Sequence, residues 1–251
     1  MLDQAMARGT LWGGDDLREY VNRLGQNLAR ASGSRQEFTF VVVYDPEINA
    51  QAFPGGYVTV NSGAISFAES EAELSAVLAH EIAHVNACDC EDSGKKNAVG
   101  FLALVPALAL AGPVGIALTA GTGIMAPVTR AHSRRSAERR ADRLAAQYLV
   151  QAGYDPHAVL TMLTRVEQQD LEGGDTRSLL ATHPRTRDRQ KGAERFVVQL
   201  PPPEKLPHDD TEFRRMQKQV RDYDELYSRA FHTRLPGKEP VLPPLSDRHR
   251  P

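Results

Sequence analysis

Residues 70–86 read SEAELSAVLAHEIAHVN, and this stretch carries the strongest structural signal in the chain. Ser70 and Glu73 match the capping-box pattern, in which a Ser side chain and a Glu three residues later bind free backbone N–H groups at a helix start. Apolar residues then recur at the spacing of one helix face. The stretch therefore predicts an amphipathic helix whose apolar stripe consists of Leu74, Val77, Leu78, Ile82 and Val85.

The predicted helix contains the pattern His-Glu-x-x-His at residues 80–84. Positions i and i+4 lie about 40° apart around a helix, so His80 and His84 leave the same face and can bind one Zn²⁺ through their imidazoles. Glu81 follows His80 around the helix, where its carboxylate can take a proton from a water beside the metal. The alternative is a chance pentapeptide on an ordinary amphipathic helix.

A catalytic zinc needs a third protein ligand, and two familiar spacings do not supply one. The metzincin pattern requires Gly at 87 and His at 90, whereas the chain has Ala87 and Cys90. Cys90 could bind zinc, although thiolates are more typical of structural sites. The thermolysin-like spacing requires a carboxylate about twenty residues after the second His, in a stretch that contains no acidic residue here.

Glu138 is the next good candidate, and Asp142 lies four residues later on the same predicted helix face. Glu138 could bind the metal while Asp142 accepts a hydrogen bond from the ring N–H of a metal-binding His. The alternative is that both carboxylates pair with neighbouring arginines on a solvated face. A metal site formed with the His80 helix is the interpretation that uses both patterns.

Residues 97–129 contain no charged side chain. About 20 apolar residues suffice to span a bilayer. Proline at 106, 113 and 127 divides this segment into shorter pieces, which favours an apolar helical hairpin. The hairpin either docks on its own domain or contacts a membrane through residues 97–135, because basic residues flank it and are attracted to anionic lipid.

The other elements are predicted from periodicity and turn residues. Pro201, Pro202 and Pro203 indicate a linker between a domain at 1–200 and an extension at 201–251 that holds a helix and a Pro-rich tail. The apolar stripe of that helix docks on the main domain or binds a partner. The remaining predictions are helices at 15–29, 133–151 and 155–168, strands at 37–44 and 57–60, and a polar helix after His183 and Pro184.

The composition excludes several classes of protein. Hydrophobic residues make up 41 % and charged residues 25 %, which is ordinary for a folded globular chain. A net charge of −2 excludes nucleic-acid binding through bulk positive charge. Two cysteines, Cys88 and Cys90, cannot form a disulfide framework. Residues 1–25 show no signal peptide, which indicates a cytoplasmic protein or one whose leader has been removed.

Four blocks of sequence resemble the zinc endopeptidase family that includes HtpX and the CAAX prenyl proteases, and most closely its soluble periplasmic BepA-like branch. The resemblance spans about residues 15–195 and is specific because the blocks occur in the family's order. It favours a periplasmic or membrane-associated protein over a cytoplasmic one. The blocks are Ile48-Asn49-Ala50 with 53–58, His80 to His84, Ser133-Arg134 with 138–142, and 182–186 with Arg189.

The resemblance implies an α+β, mainly helical domain of the gluzincin type, with a small antiparallel sheet and the apolar hairpin as an insert. It implies one Zn²⁺ held by His80, His84 and Glu138, with Glu81 as general base. Asp142 would support a metal-binding His. His183 would lie near the metal as a gate or transition-state donor, although Arg185 stands where the family often has Pro.

The resemblance also places residues 55–60 at a sheet edge near the metal, where an extended polypeptide could pair with the free backbone. An ordinary buried strand is the alternative. The implied function is zinc-dependent hydrolysis of extended or misfolded proteins in envelope protein quality control. A chaperone-like binding protein with a latent or rarely used metal site is the alternative function. The residues implied in substrate binding are Asn49, Ala50, Gly55, Gly56, Tyr57 and Val58.

Overall fold

The computed structural model describes residues 14–53, 55–87, 131–172, 183, 187–201 and 210–232. The predicted hairpin at 97–129 lies outside these residues, as do Cys88, Cys90 and almost all of the proposed membrane-contact segment. Within the described ranges, no helix combines the length and the apolar composition needed to cross a membrane.

The described elements form a mainly helical fold with one small sheet, which confirms the predicted fold class. The helices predicted around residues 15–29, 70–86, 133–151 and 155–168 are all present, with ends that differ by a few residues. In chain order the elements are α1 (Asp15–Ala31), β1 (Thr39–Val43), β2 (Ala50–Phe53), β3 (Tyr57–Asn61), α2 (Ser62–Phe67), α3 (Glu71–Asn86), α4 (Ala131–Ala152), α5 (Ala158–Leu171), α6 (Arg187–Val197) and α7 (Thr211–His232).

Helix α3 lies at the centre of the fold and packs against α1, α4, α5 and β2. The capping prediction at its start is confirmed, because the Ser70 side chain accepts a hydrogen bond from the Glu73 N–H at 3.2 Å. Leu74, Leu78 and Ile82 are fully buried. Their burial against four neighbouring elements fixes the orientation of the helix, and therefore of the histidines on its other face.

The sheet is mixed rather than antiparallel, so that part of the prediction is wrong. Strand β3 lies in the middle, with β1 parallel to it on one side and β2 antiparallel on the other. The three strands alternate in direction along the chain. A simple meander would place β2 in the middle and make both pairings antiparallel. Because β2 instead lies outside β3, the first and third strands become parallel neighbours.

The sheet edge also differs from the prediction, because residues 57–60 belong to the central strand. Val58 and Val60 are fully buried, and the β3 backbone pairs on both sides. The edge that packs against α3 is β2. Gly55 and Gly56 form the turn between β2 and β3 with φ angles of 88° and 82°, a backbone region that favours glycine.

Helix α7 packs against α2. Phe213, Met216 and Val220 are fully buried. Gln217 is also buried, and its side-chain amide donates to the carbonyl oxygen of Ala68 at 2.6 Å. The described part of the stripe thus docks on the main body of the chain, which is the first of the two alternatives.

Candidate metal centre

His80 and His84 leave α3 one turn apart, and Glu138 approaches them from α4. The two histidine Nε2 atoms lie 3.0 Å from each other. Glu138 Oε2 lies 3.4 Å from His80 Nε2, and its Oε1 lies 3.4 Å from His84 Nε2. Packing of α4 against α3 therefore brings Glu138 to the two histidines, from which it is far away in the sequence.

These separations fit a metal ion. Ligand atoms bound at about 2.0–2.1 Å in a tetrahedral arrangement lie about 3.3 Å from one another. The distances among the ligand atoms of His80, His84 and Glu138 lie between 3.0 and 3.4 Å. Two imidazoles and one carboxylate are also a donor set that catalytic zinc sites use. These three residues can therefore hold one divalent cation.

Glu138 is 4 % exposed, and it remains a carboxylate despite this burial. Burial alone would raise the pKa of Glu138. Hydrogen bonds with His183, His80 and His84 outweigh that effect and hold the pKa well below its usual range. A buried anion among imidazoles is ready to bind a cation without first losing a proton.

His183 reaches the same cluster from the chain segment before α6. Its Nδ1 lies 3.3 Å from His80 Nε2 and 3.1 Å from Glu138 Oε2. One ligand atom from each of His80, His84, Glu138 and His183 lies within 4.8 Å of the others. His183 therefore lies beside His80, His84 and Glu138, at the position of a fourth metal ligand.

Asp142 lies one turn after Glu138 on α4 and contacts the opposite nitrogen of His80. Asp142 Oδ1 is 3.1 Å from His80 Nδ1. Arg189 of α6 donates to Asp142 from Nε at 2.9 Å and from Nη2 at 2.7 Å. Burial raises the pKa of Asp142, but the hydrogen bonds from Arg189 and His80 lower it to about 2.

The solvated-face alternative for Glu138 and Asp142 is wrong. Both side chains are buried, with exposed fractions of 4 % and 1 %. Arg189 also lies 3.1 Å from Glu138 Oε2, and its Nη1 donates to the His183 carbonyl oxygen at 3.4 Å. The carboxylates thus face the cluster, and one buried arginine joins them to the segment that contains His183.

Glu81 lies beside the cluster rather than in it. It is 3 % exposed, and its Oε2 accepts a hydrogen bond from the Ala52 backbone N–H at 2.7 Å. Its other oxygen, Oε1, lies 3.3 Å from His183 Nε2. The carboxylate is therefore held between the β2 edge and the metal-binding face of α3, which is the position that a general base requires.

The residues suggested for substrate binding are spread over β2, the following turn and β3. Ala50 begins β2 and Asn49 directly precedes it, and the Ala52 N–H of this strand donates to Glu81. Gly55 and Gly56 lie in the turn. Tyr57 and Val58 belong to the central strand, so the edge position predicted for them is wrong, and the fully buried Val58 side chain is closed to a substrate.

Two parts of the site have no assigned role in the sequence analysis. Arg189 occurs only as a residue of the fourth block, and nothing in its spacing shows that it binds Asp142 and Glu138. The Ala52 N–H is a backbone group, so no side-chain pattern can identify it. The position of Ala52 follows from the pairing of β2 with β3, which is a long-range property of the fold.

Comparison with known proteins identifies the family of this fold and site. A candidate beta-barrel assembly-enhancing protease of Vibrio cholerae serotype O1 is 36 % identical over 77 % of this chain and 42 % of its own length. The beta-barrel assembly-enhancing protease of Escherichia coli (strain K12) is 32 % identical over 74 % of this chain and 40 % of its own length.

A third relative is the mitochondrial metalloendopeptidase OMA1 of Schizosaccharomyces pombe, which is 30 % identical over 71 % of this chain and 52 % of its own length. The chain thus spans about two fifths to one half of the length of these relatives. A model of Peptidase family M48 matches residues 16–196, which include every residue of the cluster. The family resemblance is therefore confirmed, and the chain belongs to Peptidase family M48.

Proposed function

We propose that the chain is a zinc-dependent endopeptidase that hydrolyses peptide bonds in extended or misfolded proteins. The observation that carries this proposal is the tetrahedral spacing of the ligand atoms of His80, His84 and Glu138, with Glu81 beside them. The family is a peptidase family, and one relative is named a metalloendopeptidase. Zinc is the metal that suits two imidazoles and one carboxylate at this spacing.

When bound, zinc polarises the scissile carbonyl and lowers the pKa of the attacking water. Glu81 Oε1 takes a proton from that water as its oxygen bonds to the carbonyl carbon. The Ala52 N–H holds Oε2 at 2.7 Å and so fixes the carboxylate during this transfer. Glu81 then gives the proton to the leaving amine as the carbon–nitrogen bond breaks, which leaves Glu81 ionised for the next cycle.

Asp142 and Arg189 act through His80. Asp142 fixes the ring by binding Nδ1, so that Nε2 is directed at the metal position. Arg189 holds both oxygens of Asp142, and the pair is buried. Partners of this kind fix the tautomer and the orientation of a metal-binding His.

His183 has two successive roles in this proposal. Its Nδ1 position beside His80 and Glu138 makes it a gate that a water and a substrate must displace. Once displaced by a small movement, its ring N–H can donate to the oxyanion that forms on the scissile carbonyl.

The substrate lies along β2 in this proposal. An extended polypeptide that lies along β2, on the side away from β3, passes Ala52 and Glu81, which presents a backbone carbonyl to the metal position. Such pairing uses backbone groups and therefore selects for unfolded or mobile segments. We place this activity in envelope protein quality control, in the periplasm or at a membrane surface, on the basis of the relatives named for beta-barrel assembly.

Glu81→Gln tests the mechanism directly. The variant keeps the size of the side chain but cannot accept a proton, so we expect cleavage of reduced casein to fall by about 10²- to 10⁴-fold. The zinc content, measured by atomic emission, should equal that of the wild type. Cleavage at the wild-type rate would contradict the assignment of Glu81.

Glu138→Gln tests the metal site separately. We expect this variant to lose most of its bound zinc, because a neutral amide replaces the buried carboxylate that faces both histidines. Chelation with 1,10-phenanthroline should abolish cleavage by the wild type, and added Zn²⁺ should restore it. Full zinc occupancy in the variant would exclude Glu138 as a ligand.

A chaperone-like binding protein is the second candidate, and the position of His183 at the fourth ligand site favours it. His183→Ala distinguishes the two functions. A fall in kcat with zinc retained supports the catalytic role of His183. Binding of casein without cleavage by the wild type, together with cleavage by His183→Ala, supports a site that is latent in the wild type and binds unfolded protein without cutting it.

A further inference from the structure

The surface of α4 carries arginines and no acidic residue. The two acidic residues of this helix, Glu138 and Asp142, are both buried at the metal cluster. The helix therefore places its negative charges inside the fold and its positive charges at the surface. The arginines that the structure places at the surface of α4, wholly or partly exposed, are Arg135, Arg139, Arg140 and Arg143.

Three of these arginines form one row along the helix. Arg135, Arg139 and Arg143 recur at every fourth residue, a spacing that places side chains next to one another on one side of a helix. The row is about 12 Å long, since each residue of a helix adds about 1.5 Å. These three residues are called the arginine face, and Arg140 lies beside it on the next turn.

No acidic side chain in the described ranges forms an ion pair with Arg135, Arg139 or Arg143. The exposed side of α7 is different, because its charges are of both signs and Lys218 pairs with Asp222 there. The arginine face therefore keeps its positive charge available for an anionic partner.

The buried carboxylates beneath the arginine face do not cancel its charge. Asp142 is compensated by Arg189, which donates to both of its oxygens. Glu138 and Glu81 lie at the metal position, where the two positive charges of a divalent cation compensate them. The loaded centre is therefore close to neutral, and the field outside α4 is that of the arginines.

The chemistry of this surface fits a phosphate-bearing partner better than a folded protein. A specific protein interface needs an apolar centre from which water is excluded. The large apolar side chains that are exposed in the described part of the chain are Leu171 and Val198, and neither belongs to α4. Arginine side chains bind phosphate oxygens through paired N–H groups and need no apolar centre to do so.

The sequence next to the arginine face indicates that the phosphates belong to lipids. Stable attachment to a membrane surface takes two signals, of which an apolar group and a basic patch are a common pair. Residues 97–129 contain no charged side chain and directly precede Arg130 and the start of α4. The apolar sequence and the basic surface therefore follow one another in the chain, which favours a membrane over an acidic polypeptide.

We propose that the arginine face of α4 docks on a membrane surface that contains anionic phospholipid. The proposal does not rest on the proposed endopeptidase function, because docking requires no cleavage. It assigns the contact to three named side chains of the helix that also supplies Glu138 to the metal centre.

Vesicle flotation of the full, zinc-loaded chain is the first test. One set of vesicles is phosphatidylcholine alone, and the other contains about one third phosphatidylglycerol. We expect partitioning onto the anionic vesicles to be at least about tenfold stronger at low salt. Salt at about 0.5 M should remove most of this difference, because it screens the charges. Equal partitioning onto both kinds of vesicle at low salt would overturn the proposal.

Replacing the arginine face tests the assignment to these side chains. The combined variant Arg135→Gln, Arg139→Gln and Arg143→Gln should partition onto anionic vesicles at least about tenfold more weakly, since each basic residue near such a surface contributes about fivefold. The corresponding Lys variant keeps the three charges and should stay within about threefold of the wild type. Wild-type partitioning by a Gln variant that is folded by circular dichroism would overturn the proposal, as would an equal loss in the Lys variant.

Three exposed basic residues of α7 provide the matched control. Arg215→Gln, Lys218→Gln and Arg221→Gln together remove the same charge from the exposed side of a helix of equal length. This variant should partition onto anionic vesicles within about threefold of the wild type. A loss as large as that of the arginine-face variant would show that net charge alone controls binding, and this would overturn the proposal.

An acidic polypeptide is the other anionic partner, and poly-glutamate tests for it. Binding of poly-glutamate that depends on the arginine face, without binding to anionic vesicles, would overturn the assignment to lipid. Glu81→Gln separates the proposal from the proposed function, because this variant should bind anionic vesicles as the wild type does. Vesicle binding without casein cleavage by the wild type would contradict the endopeptidase function alone, and cleavage without vesicle binding would overturn the docking proposal alone.

Discussion

At the scale of single residues, Asp142 connects the metal cluster to the rest of the fold. It contacts His80 Nδ1 on one side and receives two hydrogen bonds from Arg189 on the other. Arg189 in turn lies against Glu138 and the His183 carbonyl oxygen. One buried ion pair therefore influences three of the four residues in the cluster, although it makes no contact with the metal position itself.

Asp142→Asn should weaken metal binding without removing a ligand. The amide cannot offer both oxygens to Arg189 and binds the His80 N–H less strongly, so we expect zinc affinity to fall by about 10- to 100-fold. Arg189 then loses its bidentate carboxylate partner and keeps the contact with Glu138, so we expect a cost of up to about 3–5 kcal/mol in the free energy of unfolding. Chelator competition measures the first effect, and urea unfolding the second.

Asp222→Asn provides the control for Asp142→Asn. Asp222 pairs with Lys218 on the exposed face of α7, with the carboxylate half exposed. Exposed pairs of this kind contribute about 0–1 kcal/mol. Zinc affinity should be unchanged in this variant. Equal losses of affinity in the two variants would show that the effect of Asp142 is not local.

At the scale of elements, the start of α3 is fixed by a buried carboxylate. Tyr20 of α1 donates to Glu71 Oε2 at 2.7 Å, and Tyr154, between α4 and α5, donates to Oε1 at 2.7 Å. Burial raises the pKa of both tyrosines, and the hydrogen bonds to Glu71 raise it further. The three residues join three segments of chain at the N-terminal end of α3, the helix whose later turns carry His80 and His84.

The raised tyrosine pKa values predict a loss of stability in alkali. In the unfolded chain a tyrosine titrates near pH 10, whereas in the folded chain it stays protonated to higher pH. The stability is therefore complete below about pH 10 and falls above it, by at most about 1.4 kcal/mol per pH unit for each tyrosine. Tyr20→Phe should make this fall shallower in urea unfolding at pH 9 to 11, at a cost of about 1.5–3 kcal/mol at pH 7. An unchanged slope would contradict the prediction.

The turn between β2 and β3 is a second element-scale determinant of the site. Gly56 has a φ of 82°, and a Cβ there would overlap the carbonyl oxygen of Glu37. Gly56→Ala should therefore destabilise the fold by more than the roughly 1–2 kcal/mol of backbone strain alone. It should also lower casein cleavage, because a displaced β2 weakens the bond from Ala52 to Glu81.

Gly33→Ala is the matched control for this turn. Gly33 has a φ of 66°, but a Cβ there meets no atom within 4 Å. The variant should show the backbone strain alone and leave casein cleavage unchanged. A greater loss of stability at Gly33 than at Gly56 would contradict the steric argument.

At the scale of the whole molecule, local signals were sufficient for the helices and insufficient for the sheet. The Ser70 capping box and the stripe from Leu74 to Ile82 are properties of one segment, so the sequence predicts α3 and its two histidines directly. The placement of β2 outside β3 depends on contacts between segments far apart in the chain, which no local pattern encodes. The role of Arg189 depends in the same way on the packing of α6 against α4.

Helix α7 allows the stability of the whole molecule to be changed without a change at the metal site. Phe213 is fully buried against the main body, and Phe213→Ala should lower the free energy of unfolding by about 3–5 kcal/mol. In the described part of the chain, α7 contacts α2 and does not reach His80, His84 or Glu138. Zinc content and casein cleavage per folded molecule should therefore match the wild type well below the melting temperature.

Arg215→Ala on the exposed face of α7 is the control, because the Arg215 side chain is 65 % exposed. Its free energy of unfolding should stay within about 0.5 kcal/mol of the wild-type value.

If Phe213→Ala retained its fold by circular dichroism but lost zinc, α7 would be holding the metal site in place through α2 and the start of α3. If it retained zinc but cleaved casein faster, the 201–251 extension would be restraining the site. Unchanged zinc content and cleavage, with lowered stability, would assign α7 a purely structural role.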